Sequence, residues 1–423
     1  MHIAIVTALY PPEPMVSATI AADLAFFLYQ LGHKVTVLCP QPSRPMTVNY
    51  SGYRSNIPLR NTEAGIEVIR LPSFSAPRSS ITKRLAESLS FGFSVCSEFE
   101  RIAPNQPDVL FVNAWPMAAQ FLIARYCYNR KLPVVMQIMD VYPESFVNRL
   151  HPIVRSLFFK PLRALDKTTV SYARFLSVIS ESMRQLFVTD RDVRDDQVFV
   201  IPTWQDELSF SPSVDRTAAF RRYGVSAGPI TFLYLGNIGP VAGVEFLIDG
   251  FVRANLQQAQ LVIAGDGSKK ASCIDLSNRL GARNIYFVSD PDVSSVSSIQ
   301  SMADVCLLPM QSGSGTSSIP SKLSAYMFSA KPILATVDAD SDTARAIEAG
   351  KCGWVGKAED LEWLVRTMTE ITTIPANLLE DLGRAGKQYA LANYSKSVNL
   401  NKLAELTIGA GKSSVFSIAS RPV

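Results

Sequence analysis

Lys322 closes the stretch SGSGTSSIPSK, residues 312–322, where serines, glycines and a proline precede a helix start. A lysine in that setting suits phosphate, because a helix N-terminus favours negative charge and its amides point at an anion. Two further loops share the character. LGNIGPVAG, residues 235–243, has three glycines, and AGDGSKK, residues 264–270, sets Lys269 and Lys270 at another helix start. Each loop follows an apolar run, and a diphosphate is the ligand that all three would share. Taken singly, each has a plainer reading: a simple turn, a solvated lysine pair, a flexible Ser/Gly loop. A second chemistry is offered by IMDVYPESF, residues 138–146, where Asp140 and Glu144 follow a strand. A carboxylate there could accept a hydroxyl proton or orient the substrate that bears it, and Asp140 could instead cap a helix.

Several chemistries are excluded. The first strand-to-helix turn, TALYPPEPMVSATI, holds no glycine, so the GxGxxG of dinucleotide enzymes is missing, and GxxxxGK[ST] occurs nowhere. With three histidines and no HExxH, a histidine-rich metal site is not available and no metal is expected. His33, in LGHKVTV, reads as a helix-end residue. The six cysteines (Cys39, Cys96, Cys127, Cys273, Cys306, Cys352) are scattered without CxxC spacing, as small buried hydrophobes of a reducing compartment would be. A formal charge of +4, with the basic residues dispersed, argues against a nucleic-acid groove.

The elements that must position these loops are legible as two series. HIAIVTA leads to a helix from about Thr19, with Ile20, Leu24, Phe27, Leu28 and Leu31 at helical spacing, then KVTVLCP. GIEVIRLP, PDVLFVNAW, PVVMQIMD and FLSVIS continue the strands, with a helix over MAAQFLIARYCYNRK. Short, continuously apolar strands separated by helices indicate a parallel sheet covered on both faces. ITFLYLGNIG restarts the pattern, followed by AQLVIAGDG, NIYFVSD, DVCLLPM and the strand after Lys331-Pro332. The fold class is therefore α/β, with domains over 1–203 and 204–390 and a helical segment over 391–423 that crosses back and ends loosely. Two wound domains would set the carboxyl ends of their sheets around one central cleft. The N-terminus reads as a strand rather than a leader, and no run of ~18 uncharged apolar residues is present, so a cytoplasmic protein without a span is expected.

The motifs YPPEPMVSATIAADLAFFLYQLGHKVTVLCP, IMDVYPESF, VISESMRQLF with VIPTWQDELSFSP, FLYLGNIGPVAGVEFLIDGF, LVIAGDGS, ADVCLLPM, IPSKLSAYMFSAKPILA and AIEAGKCGWV run in order from residue 2 to about 370. Together they resemble the GT-B glycosyltransferases of family 4, in the branch of colanic-acid-type and O-antigen-type sugar transferases. The resemblance implies two Rossmann-like doubly wound domains, an N-terminal one for the acceptor and a C-terminal one for a nucleotide-diphospho-sugar. It also implies transfer with retention, no obligatory metal or cofactor, and a lipid-linked acceptor in capsule, O-antigen or exopolysaccharide assembly. By motif, the loop from Tyr10 to Ser17 would approach donor and acceptor, with Ser17 on the donor side and Tyr10, Pro12, Glu13 and Asn113 on the acceptor side. Gly236, Asn237 and Gly239 would lie near the diphosphate, Gly265, Asp266, Gly267 and Ser268 along the nucleotide, and Val288 and Ser289 beside the base. Ser318, Ser321 and Lys322 would face diphosphate and sugar, with Tyr326 on the same helix and Lys269 as a second cation. Asp140 and Glu144 would serve the acceptor hydroxyl.

The chain departs from that pattern at telling places. Paired glycines of the front loop are replaced by Met15, Val16 and Ser17, and the usual arginine and lysine near the first glycine loop by Ile238 and Ala242. The two family carboxylates fall on Ser317 and Ala325. The second normally holds the ribose hydroxyls, and losing that charge-assisted hydrogen bond of about 1.5–3 kcal/mol would weaken nucleotide binding some ten- to hundredfold unless another residue substitutes. Ala325 therefore supports a rival, a degenerate GT-B protein that binds or regulates without turnover; a nucleotide-sugar epimerase of the same fold would want more histidines. Two basic-apolar stretches, 78–95 and 149–167, could meet an anionic membrane surface or simply be packed helices with a solvated side.

Overall fold

The computed structural model describes residues 1–44, 50–75, 81–101, 106–113, 117–144, 152–210, 214–240, 242–289, 295–313 and 320–412. It divides into two compact units, Met1–Thr203 joined by the chain from Asn399 onward, and Trp204–Val398.

In the first unit the chain runs β1 (His2–Val6), α1 (Val16–Gln30), β2 (Lys34–Pro40), β3 (Leu59–Glu63), β4 (Ile66–Leu71), α2 (Ile81–Arg101), β5 (Val109–Asn113), α3 (Met117–Asn129), β6 (Val134–Ile138), α4 (Pro152–Ser171), β7 (Phe175–Val178), α5 (Glu181–Asp190) and β8 (Val198–Val200). The sheet order is β3-β4-β2-β1-β5-β6-β7-β8, parallel except for β3. Every residue of β5 and β6 is buried, as apolar strands covered on both faces must be. From β1 the chain winds first toward β2 and then, with β5, to the other side. The carboxyl ends of β1 and β5 thus flank a switch point, where open sheets bind ligands.

The second unit runs α6 (Arg216–Tyr223), β9 (Ile230–Leu235), α7 (Val244–Ala254), β10 (Ala259–Ala264), α8 (Lys270–Arg279), β11 (Ile285–Val288), α9 (Val296–Ser301), β12 (Val305–Pro309), α10 (Ser321–Phe328), β13 (Ile333–Val337), α11 (Asp342–Ala349), β14 (Gly353–Lys357), α12 (Leu361–Ile371) and α13 (Ala376–Asn393), before α14 (Lys396–Gly411). Its sheet is wholly parallel, in the order β11-β10-β9-β12-β13-β14, with the switch between β9 and β12. Side-chain caps fix several helix starts: Ser180 for α5, Asp215 for α6, Ser341 for α11 and Asp360 for α12.

Three expectations are corrected. The first helix begins at Val16, not near Thr19, because Ala18 is already buried and extends the inner stripe; Ser17 therefore sits in a first helical turn. β3 escapes the sequence reading because LRNTE is a polar, largely exposed edge strand, turned into β4 through Ala64 and Gly65, both at positive φ. The segment expected to begin at residue 391 is split. Residues up to Val398 group with the second unit, where Ser395 bridges Gln205 and the Glu207 carboxylate accepts from Lys396 N at 2.8 Å and Ser397 Oγ at 2.9 Å. The tail from residue 413 lies outside the described residues, and among those described no helix is long and apolar enough to cross a membrane.

Candidate functional site

In the second unit the site is built from the end of β9. The chain leaves Leu235 through Gly236, whose φ of 152° lies outside the ordinary range of residues with a side chain. A Cβ there would stand 3.0 Å from Lys322 Nζ and closer still to its stem, so the bare glycine is what lets the lysine cross the backbone. The next loop meshes with this one. Gly236 N donates to Ala264 O at 2.9 Å, Ile238 N to Asp266 O at 2.8 Å, and Lys269 N to Ile238 O at 3.0 Å. Gly265, at φ 137°, lies so near Gly236 that a Cβ would come to 3.0 Å of its carbonyl carbon. The two glycine loops are thus one unit of backbone.

Lys322, in the first turn of α10, points along that unit. Its Nζ donates to Tyr234 Oη at 2.7 Å and lies 4.3 Å from the centre of the same ring. Burial pulls the ammonium down from 10.5 to about 8, since the charged form is the one that loses its water. Tyr234 Oη in turn donates to Asn237 O at 2.7 Å. The other lysines are differently placed: Lys269 pairs with Glu245 at 3.5 Å, and Lys270 with Asp266 at 3.0 Å and with Ser289 Oγ. Ile238 and Ala242, beside these loops, are buried in the core. Lys322 is therefore the lysine of this loop set that a phenol, rather than a carboxylate, receives.

The remaining donor-side residues fall in two classes. Asn237 and Asp266 are exposed on the loops, whereas Gly239 is buried. Val288 is buried and its carbonyl accepts from Gly265 N at 2.9 Å, so it supports the loop from beneath. Tyr326 is buried too, its hydroxyl accepting from Leu235 N at 2.9 Å and lying 3.2 Å from Leu235 O. Ser321 is exposed, and its carbonyl accepts from Gln205 Nε2 at 2.7 Å and Ser324 Oγ at 3.1 Å. Ala325 is half-buried against the core. Ser317 and Ser318 lie outside the described residues.

The first unit brings Ser17, Asn113 and Asp140 together. With Thr7, Met15 and Arg44 they line a cavity of about 340 Å³ at the carboxyl ends of β1, β5 and β6. Asp140 is exposed, Ser17 half-buried and Asn113 buried. Pro12 is exposed on the preceding loop. Tyr10 and Glu13 face inward. The Glu13 carboxylate accepts from Ser43 N and Arg44 N, both at 2.9 Å, and burial pushes its pKa up. Burial raises the Tyr10 phenol as well.

Two buried arginines, unnoticed in the sequence, hold the walls of this cavity. Arg70 on β4 donates to Pro11 O at 2.8 Å, pairs with Glu63 at 2.5 Å and lies 5.0 Å from the Tyr53 ring centre. Arg191 grips the other wall, donating to Tyr142 O at 2.9 Å, to both Glu144 oxygens at 2.8 Å, and to Asp166 at 2.7 Å. Glu144 is thereby tied into the loop, while Asp140 is exposed and lines the cavity. A charge inside an apolar run, as in IEVIRL, is the signal that could have exposed Arg70, because a buried guanidinium must find acceptors.

A family profile described as "Glycosyl transferase 4-like domain" matches residues 17–204, and one described as "Glycosyl transferases group 1" matches residues 215–389. The chain is 26% identical over 341 residues to the probable glycosyltransferase WbjE of Pseudomonas aeruginosa, covering 78% of this chain and 82% of that protein. It is 23% identical over 352 residues to the putative colanic acid biosynthesis glycosyl transferase WcaI of Escherichia coli K12, covering 80% and 84%. The crystal structure of Anabaena HepE in complex with UDP and glucose matches with a TM-score of 0.66 at 14% identity, over 95% of this chain and 98% of that one.

Proposed function

Since the chain belongs to the group 1 glycosyltransferases of family 4 and carries their GT-B fold, we propose that it moves a sugar from a nucleotide diphosphate to a lipid-linked glycan, with retention, in surface-polysaccharide assembly. The observation that carries the donor side is Lys322, a half-buried ammonium held by a phenol above two meshed glycine loops. Such a cation is a preorganised partner for the charge that develops on a departing diphosphate. The UDP of the HepE complex makes UDP-sugars the first donors to try.

The acceptor belongs to the cavity of the first unit. There Asp140 orients the acceptor hydroxyl, with Ser17 and Asn113 on neighbouring sugar hydroxyls, while Glu144, Glu13 and Tyr10 shape the loops around them. In the reaction the bond from the anomeric carbon to the diphosphate oxygen breaks and the acceptor oxygen takes its place. The acceptor proton leaves with the diphosphate. The kinship with WcaI, named for colanic acid biosynthesis, supports a role in polysaccharide assembly, and we propose that the acceptor is lipid-linked and met at a membrane surface. On α2, Lys83, Arg84, Leu85 and Phe93 are exposed and suit such a surface. The α4 stretch suits it less, because Arg163 pairs with Asp190 and Lys167 with Asp192; its residues 149–151 lie outside the described chain.

The test is transfer of labelled sugar from UDP-, GDP-, ADP- and TDP-sugars to a lipid-linked acceptor fraction, with the product anomer read by NMR. We expect one nucleotide class to support turnover, and Asp140→Asn to lower kcat about a hundredfold, the cost of a misplaced reactant, without weakening nucleotide binding. No turnover with any class from a folded sample that still binds nucleotide would overturn the reading.

A further inference from the structure

We propose that Tyr234 is a positioning residue for Lys322, its ring and hydroxyl together presenting the ammonium to a diphosphate. The inference rests on the donor site proposed above and names a residue that neither the motifs nor the family resemblance singles out.

The geometry has three parts. Tyr234 lies on β9 with no exposed surface, in a strand otherwise aliphatic apart from Thr231 and Phe232. A buried phenol must spend its hydroxyl, and this one does so twice, accepting from Lys322 Nζ and donating to Asn237 O, each at 2.7 Å. The ring face lies under the same ammonium at 4.3 Å from its centre. One side chain therefore links the cation of α10 to the backbone of the first glycine loop, and both would touch the anion.

A neutral partner matters here. A carboxylate in place of the phenol would neutralise the lysine and compete with an incoming diphosphate, as Glu245 and Asp266 do for Lys269 and Lys270. Among the described residues the titratable group in contact with Lys322 is the Tyr234 phenol, and burial is what lowers the lysine's pKa. Tyr234 fixes where the charge sits and leaves that charge available.

Two measurements on the full chain test it. The first needs no nucleotide: acetic anhydride labelling of Lys322, read by mass spectrometry from about pH 6 to about pH 11.5, a span that includes the ordinary lysine value. The wild-type midpoint is expected near 8, and Tyr234→Phe is expected to displace it, downward if the ammonium stays dry without its acceptor and upward if it swings into water. An unchanged midpoint overturns the proposal. The second is the dissociation constant for UDP, GDP, ADP or TDP, whichever binds the wild type. Tyr234→Phe should weaken it about tenfold near neutral pH, with a pH dependence that follows the displaced labelling midpoint. In a Lys322→Ala background the same change should cost nothing more. A loss equal at every pH, or additive with Lys322→Ala, would show a merely structural tyrosine. Failure of every nucleotide to bind the wild type would sink the proposed function, while the labelling midpoint would still decide the role of Tyr234.

Discussion

At the scale of single residues, Lys322 sets a testable pH dependence. Its charged form binds the diphosphate, and in the free protein that form is lost as pH rises through about 8. Nucleotide affinity should therefore be flat below that point and fall about tenfold per pH unit above it. Lys322→Ala should lower affinity about ten- to hundredfold near neutral pH, the worth of a charge-assisted hydrogen bond, and abolish the alkaline fall. Calorimetric titrations across the range check both. Lys322 could be found in the sequence because a lysine among serines at a helix start has little other reason to be there. Tyr234 could not, since an aromatic residue in an apolar strand reads as core; only the structure shows what its hydroxyl holds. Glu144 teaches the converse. Its motif suggested chemistry, yet a buried arginine distant in sequence claims both its oxygens.

Among the elements, the strands were the most legible part, because β1, β5, β6, β12 and β13 are mostly apolar and almost wholly buried. β3 and the early start of α1 were not, since neither a polar edge strand nor an alanine-lined first turn leaves a hydrophobic period. The loop after β6 depends on an interaction that no local pattern announces. Arg191, carried just past α5, holds that loop and also faces Asp166 on α4, whose carboxyl burial pushes up to about 6 even beside the guanidinium. Arg191→Met removes the group that lowers it, so the Asp166 pKa should rise further. A carboxyl raised in the folded state favours folding while it is protonated, and that contribution is lost as pH climbs through its folded pKa. The variant should thus be destabilised by about 3–5 kcal/mol near pH 8 and clearly less near pH 5. Urea denaturation at the two values decides; equal losses would mean that Asp166 is not the burden.

At the scale of the whole molecule, the donor site we propose is built from residues of the second unit. The charge stabilisation we propose for the departing diphosphate comes from Lys322. Turnover should consequently survive EDTA within about twofold, a difference of under 0.5 kcal/mol in the barrier; loss restored by magnesium would place a cation where we place the lysine. The measurement that bears most directly on the account is calorimetric titration of UDP, GDP, ADP and TDP into the wild-type chain and into Lys322→Ala. The account predicts that one of the four binds the wild type selectively and that the variant loses most of that affinity near neutral pH. A variant that binds as tightly as the wild type would contradict it.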